Sequence, residues 1–131
     1  GIVLNNSAAN PWLSNGVLAK TILNEVNSTS QSYINGAITV NGAAAQVIVA
    51  NPNGITVNGG SFVNASRATL TTGTAQVTNG ALTGFSIRGG GVTIGSGGFN
   101  NSATPYTDIM SRAVTLTGAL RAQNLGITTG L

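Results

Sequence analysis

Six Asn-Gly pairs, at 15–16, 35–36, 41–42, 53–54, 58–59 and 79–80, punctuate this chain with turn signals. Asn and Gly enter tight turns readily because both tolerate positive φ. Between the turns stand runs of three to five alternating or β-branched residues. Examples are Ala37-Ile38-Thr39-Val40, Gln46-Val47-Ile48-Val49, Ile55-Thr56-Val57 and Ala68-Thr69-Leu70-Thr71. Further on come Phe85-Ser86-Ile87, Gly91-Val92-Thr93-Ile94, Ala113 to Thr117 and Gly126 to Thr129. Runs of this length are short for sandwich strands. Asn-Gly between strands is also a hairpin signal, so an antiparallel sandwich or barrel is the competing architecture.

Two further features favour a solenoid. Gly36-Ala37-Ile38-Thr39-Val40-Asn41-Gly42 echoes Gly54-Ile55-Thr56-Val57-Asn58-Gly59-Gly60, and Ala68-Thr69-Leu70-Thr71-Thr72-Gly73 echoes Val114-Thr115-Leu116-Thr117-Gly118. Such echoes suggest stacked coils with one strand-turn-strand unit per coil. Charged residues are only 5% of the chain, against roughly 25% in an ordinary domain. Stacked Asn, Thr and Ser hydrogen-bond along a ladder, whereas stacked like charges repel. The sequence therefore predicts one all-β domain over 1–131: a right-handed parallel β-helix with short extra-helical strands or loops. Coils of about 20 to 25 residues give about five or six of them.

Some segments are less regular. In Val17 to Val26, Leu18, Ile22 and Val26 repeat at helical spacing, but a strand is the favoured reading. Asn27 to Tyr33 and Gly95 to Thr104 read as polar loops, with Pro105 at the exit of the second.

Acid–base catalysis requires titratable groups placed together. The chain has no His, no Cys and two acids, Glu25 and Asp108. A Ser-His-Asp arrangement is impossible, and a calcium-binding acidic cluster cannot be assembled. No catalytic residue, metal ligand, cofactor or small-molecule substrate is expected. Each acid is read as bonding a turn or a nearby arginine, with Arg112 a local partner for Asp108.

The formal net charge of +3 rests on Lys20, Arg67, Arg88, Arg112 and Arg121, scattered along the chain. No basic cluster with interleaved aromatics is present, so no nucleic-acid partner is expected. Gly89-Gly90-Gly91 and Gly95-Ser96-Gly97-Gly98 lack the Lys-Ser/Thr of a phosphate loop and read as tight corners. Thr69, Thr71, Thr115, Thr117, Thr128 and Thr129 read as filling solvent-facing strand positions, not as an ice-binding face. Sequons at Asn5, Asn27, Asn64 and Asn100 are expected by chance in so Asn-rich a chain. A cysteine-free chain suits passage through the periplasm, where stray thiols are oxidised. Residues 1–6 lack the basic and apolar regions of a signal peptide, so an exported form has lost its targeting segment.

Two segments are more specific. Asn51-Pro52-Asn53-Gly54-Ile55 follows the run Gln46 to Ala50, with Pro52 presetting φ and Asn53-Gly54 supplying turn conformations. Upstream stand Asn10-Pro11-Trp12-Leu13 and Ile22 to Ser28; downstream run Phe62 to Gly73, Tyr106 to Arg112 and Leu125 to Gly130. In this order and spacing the chain resembles, over nearly its whole length, the secretion domain of two-partner exoproteins: filamentous haemagglutinins, large adhesins, haemolysins and contact-dependent inhibition toxins. It departs from that family at Trp12, where the first motif has Asn. Val57 and Gly60 stand where some members carry a Cys pair. The family also has residues ahead of the position of Gly1 that cap the first coil, so the resemblance implies a missing cap.

The resemblance implies a secreted or cell-surface destination by way of the periplasm. It implies recognition by the periplasmic domains of a dedicated outer-membrane β-barrel transporter, then coil-by-coil folding outside, each rung templating the next. Asn10, Pro11, Trp12, Leu13, Asn51, Pro52, Asn53, Gly54 and Ile55 are the candidate recognition or turn residues. The remainder of such an exoprotein would meet the host cell surface. A glycan-binding adhesin module is the alternative reading, and a clustered aromatic groove would favour it.

Overall fold

The computed structural model describes residues 1–7 and 19–130, which carry fourteen strands. The first coil contains β1 (Ile2–Asn6), β2 (Thr21–Glu25) and β3 (Ser32–Ile34). The second contains β4 (Ala37–Gly42), β5 (Ala45–Ala50) and β6 (Ile55–Val57). The third contains β7 (Ser61–Val63) and β8 (Ala65–Thr71), then an excursion through β9 (Thr74–Thr78) and β10 (Ala81–Ser86), and returns as β11 (Gly91–Ile94). The fourth is β12 (Phe99–Ser111) with β13 (Ala113–Leu116), and β14 (Leu120–Thr129) begins the fifth.

Strands stack on their counterparts one coil away, all in parallel. The sheets run β1-β4-β7, β3-β6-β11-β13 and β2-β5-β8-β12-β14. A chain that returns to the same face with the same direction after each circuit is a parallel β-helix, here with five rungs in its longest sheet. The regular repeat is short: Asn64 bonds to Val40, 24 residues earlier, and Gln123 to Ser102, 21 earlier. Where the hairpin is inserted the offset stretches to 39 residues, as between Asn101 and Phe62.

Alternation places one apolar row per strand inside. Ile38 and Val40, Val47 and Val49, Ile55 and Val57, Ala68 and Leu70, and Val92 and Ile94 join Phe62, Phe99 and Ile109 in one continuous core. Phe62 and Phe99 meet edge to face, with ring centroids 6.0 Å apart, a favoured aromatic geometry. Each fully buried aliphatic or Phe side chain contributes about 1.5–3 kcal/mol relative to exposure. At the two ends the same inward rows are only partly covered, at Leu4 and Ile22 and at Val114 and Leu120.

Several expectations from sequence change. The hairpin reading of Asn-Gly holds at one described pair: Asn79 and Gly80 close β9–β10, both at positive φ (53° and 76°). Both central residues at positive φ define the turn that matches the twist of an antiparallel ribbon. Gly95–Thr104 is a loop only as far as Gly98, because Phe99 already lies in β12 and in the core. Its polar residues stay in the strand because Asn101 finds partners inside the stack. Tyr33 belongs to β3, paired with Thr56, not to a loop. The strand reading of the 17–26 segment holds over Thr21–Glu25.

Thr69 and Thr71 are buried, although alternation turns them away from the core. The excursion after β8 lies beside them: Gly73 packs against Thr71, Phe85 and Ile87, and the Glu25 carboxylate accepts the Ala75 N–H. Local pairing of Asp108 with Arg112 also fails. Residues four apart along a strand are about 13 Å apart, whereas Arg67 sits on the neighbouring rung. Its guanidinium pairs with Asp108 and lies 4.5 Å from the Tyr106 ring centroid.

Candidate functional site

The second motif forms the corner between β5 and β6. The Gly54 N–H donates to the Asn51 carbonyl (3.1 Å), closing a four-residue turn with Pro52 second, where its fixed φ is favoured. Asn51 is fully buried. Its Oδ1 accepts from the Asn53 N–H and Nδ2, both at 2.9 Å. Its Nδ2 donates to the Ser30 carbonyl and Ser32 Oγ, both at 2.9 Å, on the coil below. Its own N–H donates to the Thr71 carbonyl on the coil above. One residue therefore ties three rungs together, and its side chain leaves no polar atom unsatisfied.

The rest of the motif divides by depth. Asn53 Nδ2 donates down to the Ser28 carbonyl at 2.5 Å. Gly54 has φ 117°, and an added Cβ would lie 3.3 Å from the Gly91 carbonyl oxygen and 3.4 Å from Gln31. Ile55 is buried in the core. Pro52 is exposed and Asn53 half-buried, so these two alone of the five present themselves at the surface of the folded domain. Asn10, Pro11, Trp12 and Leu13 lie outside the described residues.

A second device escaped the reading of the sequence. Asn5-Asn6-Ser7 and Asn100-Asn101-Ser102 are the same tripeptide and build the same corner. In each, the first Asn accepts the Ser N–H and hydroxyl through Oδ1. In each, the second Asn is fully buried. Asn6 grips Ala19 at both its N–H and carbonyl, each at 2.8 Å, and also reaches the Ala43 carbonyl. Asn101 accepts from the Phe62 N–H and the Thr104 hydroxyl, and donates to Thr107 Oγ1 at 2.7 Å. Asn101 sits where the chain leaves the regular coil, ahead of the register shift between Asn101 and Tyr106. The repeated Asn-Asn-Ser was the available signal, hidden among chance sequons.

Nothing in this arrangement resembles a reaction centre. The two acids are engaged, Glu25 with the Ala75 N–H and Asp108 with Arg67. Among the described residues no group of three or more metal-ligating side chains occurs. The exposed aromatics Tyr33 and Tyr106 stand on different sheets and form no common groove.

A charge-poor stack of parallel coils with buried Asn corners defines a β-helical module. The model of the TPS (two-partner) secretion domain matches residues 1–131, and the chain belongs to that family. It is 44% identical over 142 residues to "Toxin CdiA" of Yersinia pestis, which covers 99% of this chain and 4% of that protein. It is 47% identical over 105 residues to the filamentous hemagglutinin of Bordetella pertussis, covering 80% of this chain and 3% of that one. The crystal structure of a filamentous hemagglutinin secretion domain superposes with a TM-score of 0.91 at 38% identity, over 99% of this chain and 49% of the other. The chain thus spans about one twenty-fifth of the length of these curated relatives. It is a secretion domain of the kind carried by large exoproteins such as CdiA toxins and filamentous hemagglutinin, and the similarities fit that reading and not a glycan-binding module.

Proposed function

We propose that this domain is the address by which its exoprotein is handed to a cognate outer-membrane β-barrel transporter, and that it serves no catalytic step itself. The periplasmic domains of the transporter take the extended chain, which leaves the cell through the barrel and coils up outside. The observation that carries this reading is the in-register stacking of successive coils within a secretion-domain family. Each coil buries its apolar row against the previous one, so folding advances rung by rung without a nucleotide.

The two motifs take different parts in this proposal. Asn10, Pro11, Trp12 and Leu13 are the contact set for the transporter. Asn51, Gly54 and Ile55 act in the fold, and Pro52 and Asn53 are the members of the second motif that a partner can touch after folding. Calorimetric titration of the transporter's periplasmic domains with the wild-type chain and with Asn10→Ala tests this, after circular dichroism has shown a β spectrum for both. Saturable binding that weakens in the folded variant supports the assignment. A folded wild type that does not bind in either its folded or its denaturant-diluted form sinks it.

A further inference from the structure

We propose that Asn79 is a site of spontaneous covalent modification, in which its side chain cyclises onto the Gly80 nitrogen and the ring then opens to aspartate and isoaspartate. The deprotonated Gly80 nitrogen attacks Asn79 Cγ, a C–N bond forms, and ammonia leaves. Water then adds to one of the two imide carbonyls and cleaves its C–N bond. Opening at the former side-chain carbonyl gives aspartate, and opening at the backbone carbonyl gives isoaspartate. No electrons are transferred, and water is the only co-reactant.

The reaction needs a small following residue, a free carboxamide, a free amide nitrogen and a peptide able to rotate. The β9–β10 tip supplies all four. Asn79 and Gly80 are exposed, as is every residue from 76 to 83. Nothing lies within 4 Å of a Cβ built on Gly80. Among the described residues neither the Asn79 carboxamide nor the Gly80 N–H has a hydrogen-bond partner. Ring closure requires the Asn79-Gly80 peptide to leave its turn, and a two-stranded ribbon opens locally far more often than the stacked coils.

Of the other described Asn-Gly pairs, 53–54 and 58–59 are held by hydrogen bonds, and 35–36 and 41–42 lie within the stacked coils rather than on a free ribbon. The Gly54 N–H is bonded to Asn51, and Asn53 Nδ2 is bonded to Ser28 and Asn51. The Gly59 N–H donates to Gly98 at 2.8 Å, while Asn58 Oδ1 accepts the Gly97 N–H. Gly42 pairs with Asn6 of the neighbouring coil, where a Cβ would collide with the Asn6 carbonyl. Next to Asn35, the Ile34 carbonyl accepts the Asn58 N–H from the following coil. Reaction at Asn79 adds a carboxylate to a chain that has two acids. Isoaspartate also inserts an extra backbone atom into a two-residue turn, so the tip no longer closes.

The chain's own basic residues make the test clean. Tryptic cleavage at Lys20, Arg67 and Arg88 puts Asn79-Gly80 alone in peptide 68–88, the four coil pairs in 21–67 and Asn15-Gly16 in 1–20. The native protein is incubated at mildly alkaline pH, then denatured and digested at mildly acidic pH for mass spectrometry. Converted 68–88 is expected to accumulate at least about tenfold faster, per Asn-Gly pair, than converted 21–67. In denaturant the per-pair rates should converge, and Asn79→Gln should abolish the 68–88 signal without altering the native β spectrum. Equal native rates in the two peptides overturn the proposal, as does a difference that persists in denaturant.

Discussion

At the 51–54 corner, Asn53-Gly54 is enclosed by the coils above and below; at the β9–β10 tip, Asn79-Gly80 stands in solvent. The same dipeptide serves both because it supplies turn conformations and says nothing of what the turn joins. In the corner, Asn51 converts the turn into a rivet by bonding Ser30 and Ser32 on one side while its backbone meets Thr71 on the other. At the tip the constraints are the backbone pairs of one ribbon and the Thr83 hydroxyl on the Gln76 carbonyl, and the apolar pair Val77 and Leu82 is left exposed. A corner of a parallel stack is not flanked by an antiparallel partner strand as a hairpin tip is. It must be held by side chains from adjacent coils, and buried Asn is suited to this because one amide both donates and accepts.

The largest effect should separate the two regions at once. Asn51→Ala removes a fully buried amide together with its bonds to the Asn53 N–H, the Ser30 carbonyl and Ser32 Oγ, and should cost about 3 kcal/mol of unfolding free energy. Asn79→Ala removes no side-chain bond and should cost about 1 kcal/mol, the penalty of an alanine at positive φ. Urea titrations at unchanged slope check the pair, and equal losses would mean that the corner is no rivet.

Much of this architecture can be read from the residues, and the parts that cannot have a common cause. The runs at 37–40, 46–49, 55–57, 68–71 and 91–94 fall within β4, β5, β6, β8 and β11, because alternation and β-branching are local properties. Five rungs also follow from chain length and coil size. Which Asn-Gly pair would be a hairpin does not follow, since 79–80 differs from 53–54 only in what surrounds it in space. The burial of Thr69 and Thr71, and the choice of Arg67 over Arg112 by Asp108, likewise depend on neighbours about a coil away. Phe99 and Asn101 sit in a stretch polar enough to look like a loop, yet the ladder to β14 keeps both in a strand. Of the second motif, turn geometry was legible, whereas the depth of Asn51 was not.

Glycine substitutions sharpen the contrast on backbone terms alone. Gly54→Ala forces a side chain into φ 117° against the Gly91 carbonyl and should cost about 2–3 kcal/mol. Gly80→Ala meets no atom within 4 Å and carries only the positive-φ penalty, about 1 kcal/mol. Thermal midpoints should rank wild type, Gly80→Ala, Gly54→Ala in descending order. A reversed order would show that the tip, not the corner, is the tightly enclosed turn.

Glu25→Gln probes the joint between the two regions. Its carboxylate accepts the Ala75 N–H at 2.9 Å, across 50 residues, at the base of the hairpin. Weakening this charge-assisted bond should raise hydrogen exchange at the Ala75 amide roughly tenfold and leave amides of β5 and β8 unchanged. Uniform deprotection would mean that hairpin and coils open as one unit.

The smallest effect concerns charge. Arg67 and Asp108 pair across adjacent rungs with side chains about a third exposed, at 36% and 31%. A pair so open to solvent should couple by about 0.5 kcal/mol in a double-mutant cycle of Arg67→Ala and Asp108→Ala. Raising the salt concentration should reduce that coupling, because the carboxylate and guanidinium are screened. Stacking of Arg67 on Tyr106 does not involve Asp108, so part of the Arg67→Ala loss should survive in the Asp108→Ala background and persist in salt. Coupling as large as the Asn51→Ala loss would place charge beside the buried amides in holding the coils together. A value near the expected one leaves the stack to its apolar rows and its asparagine corners.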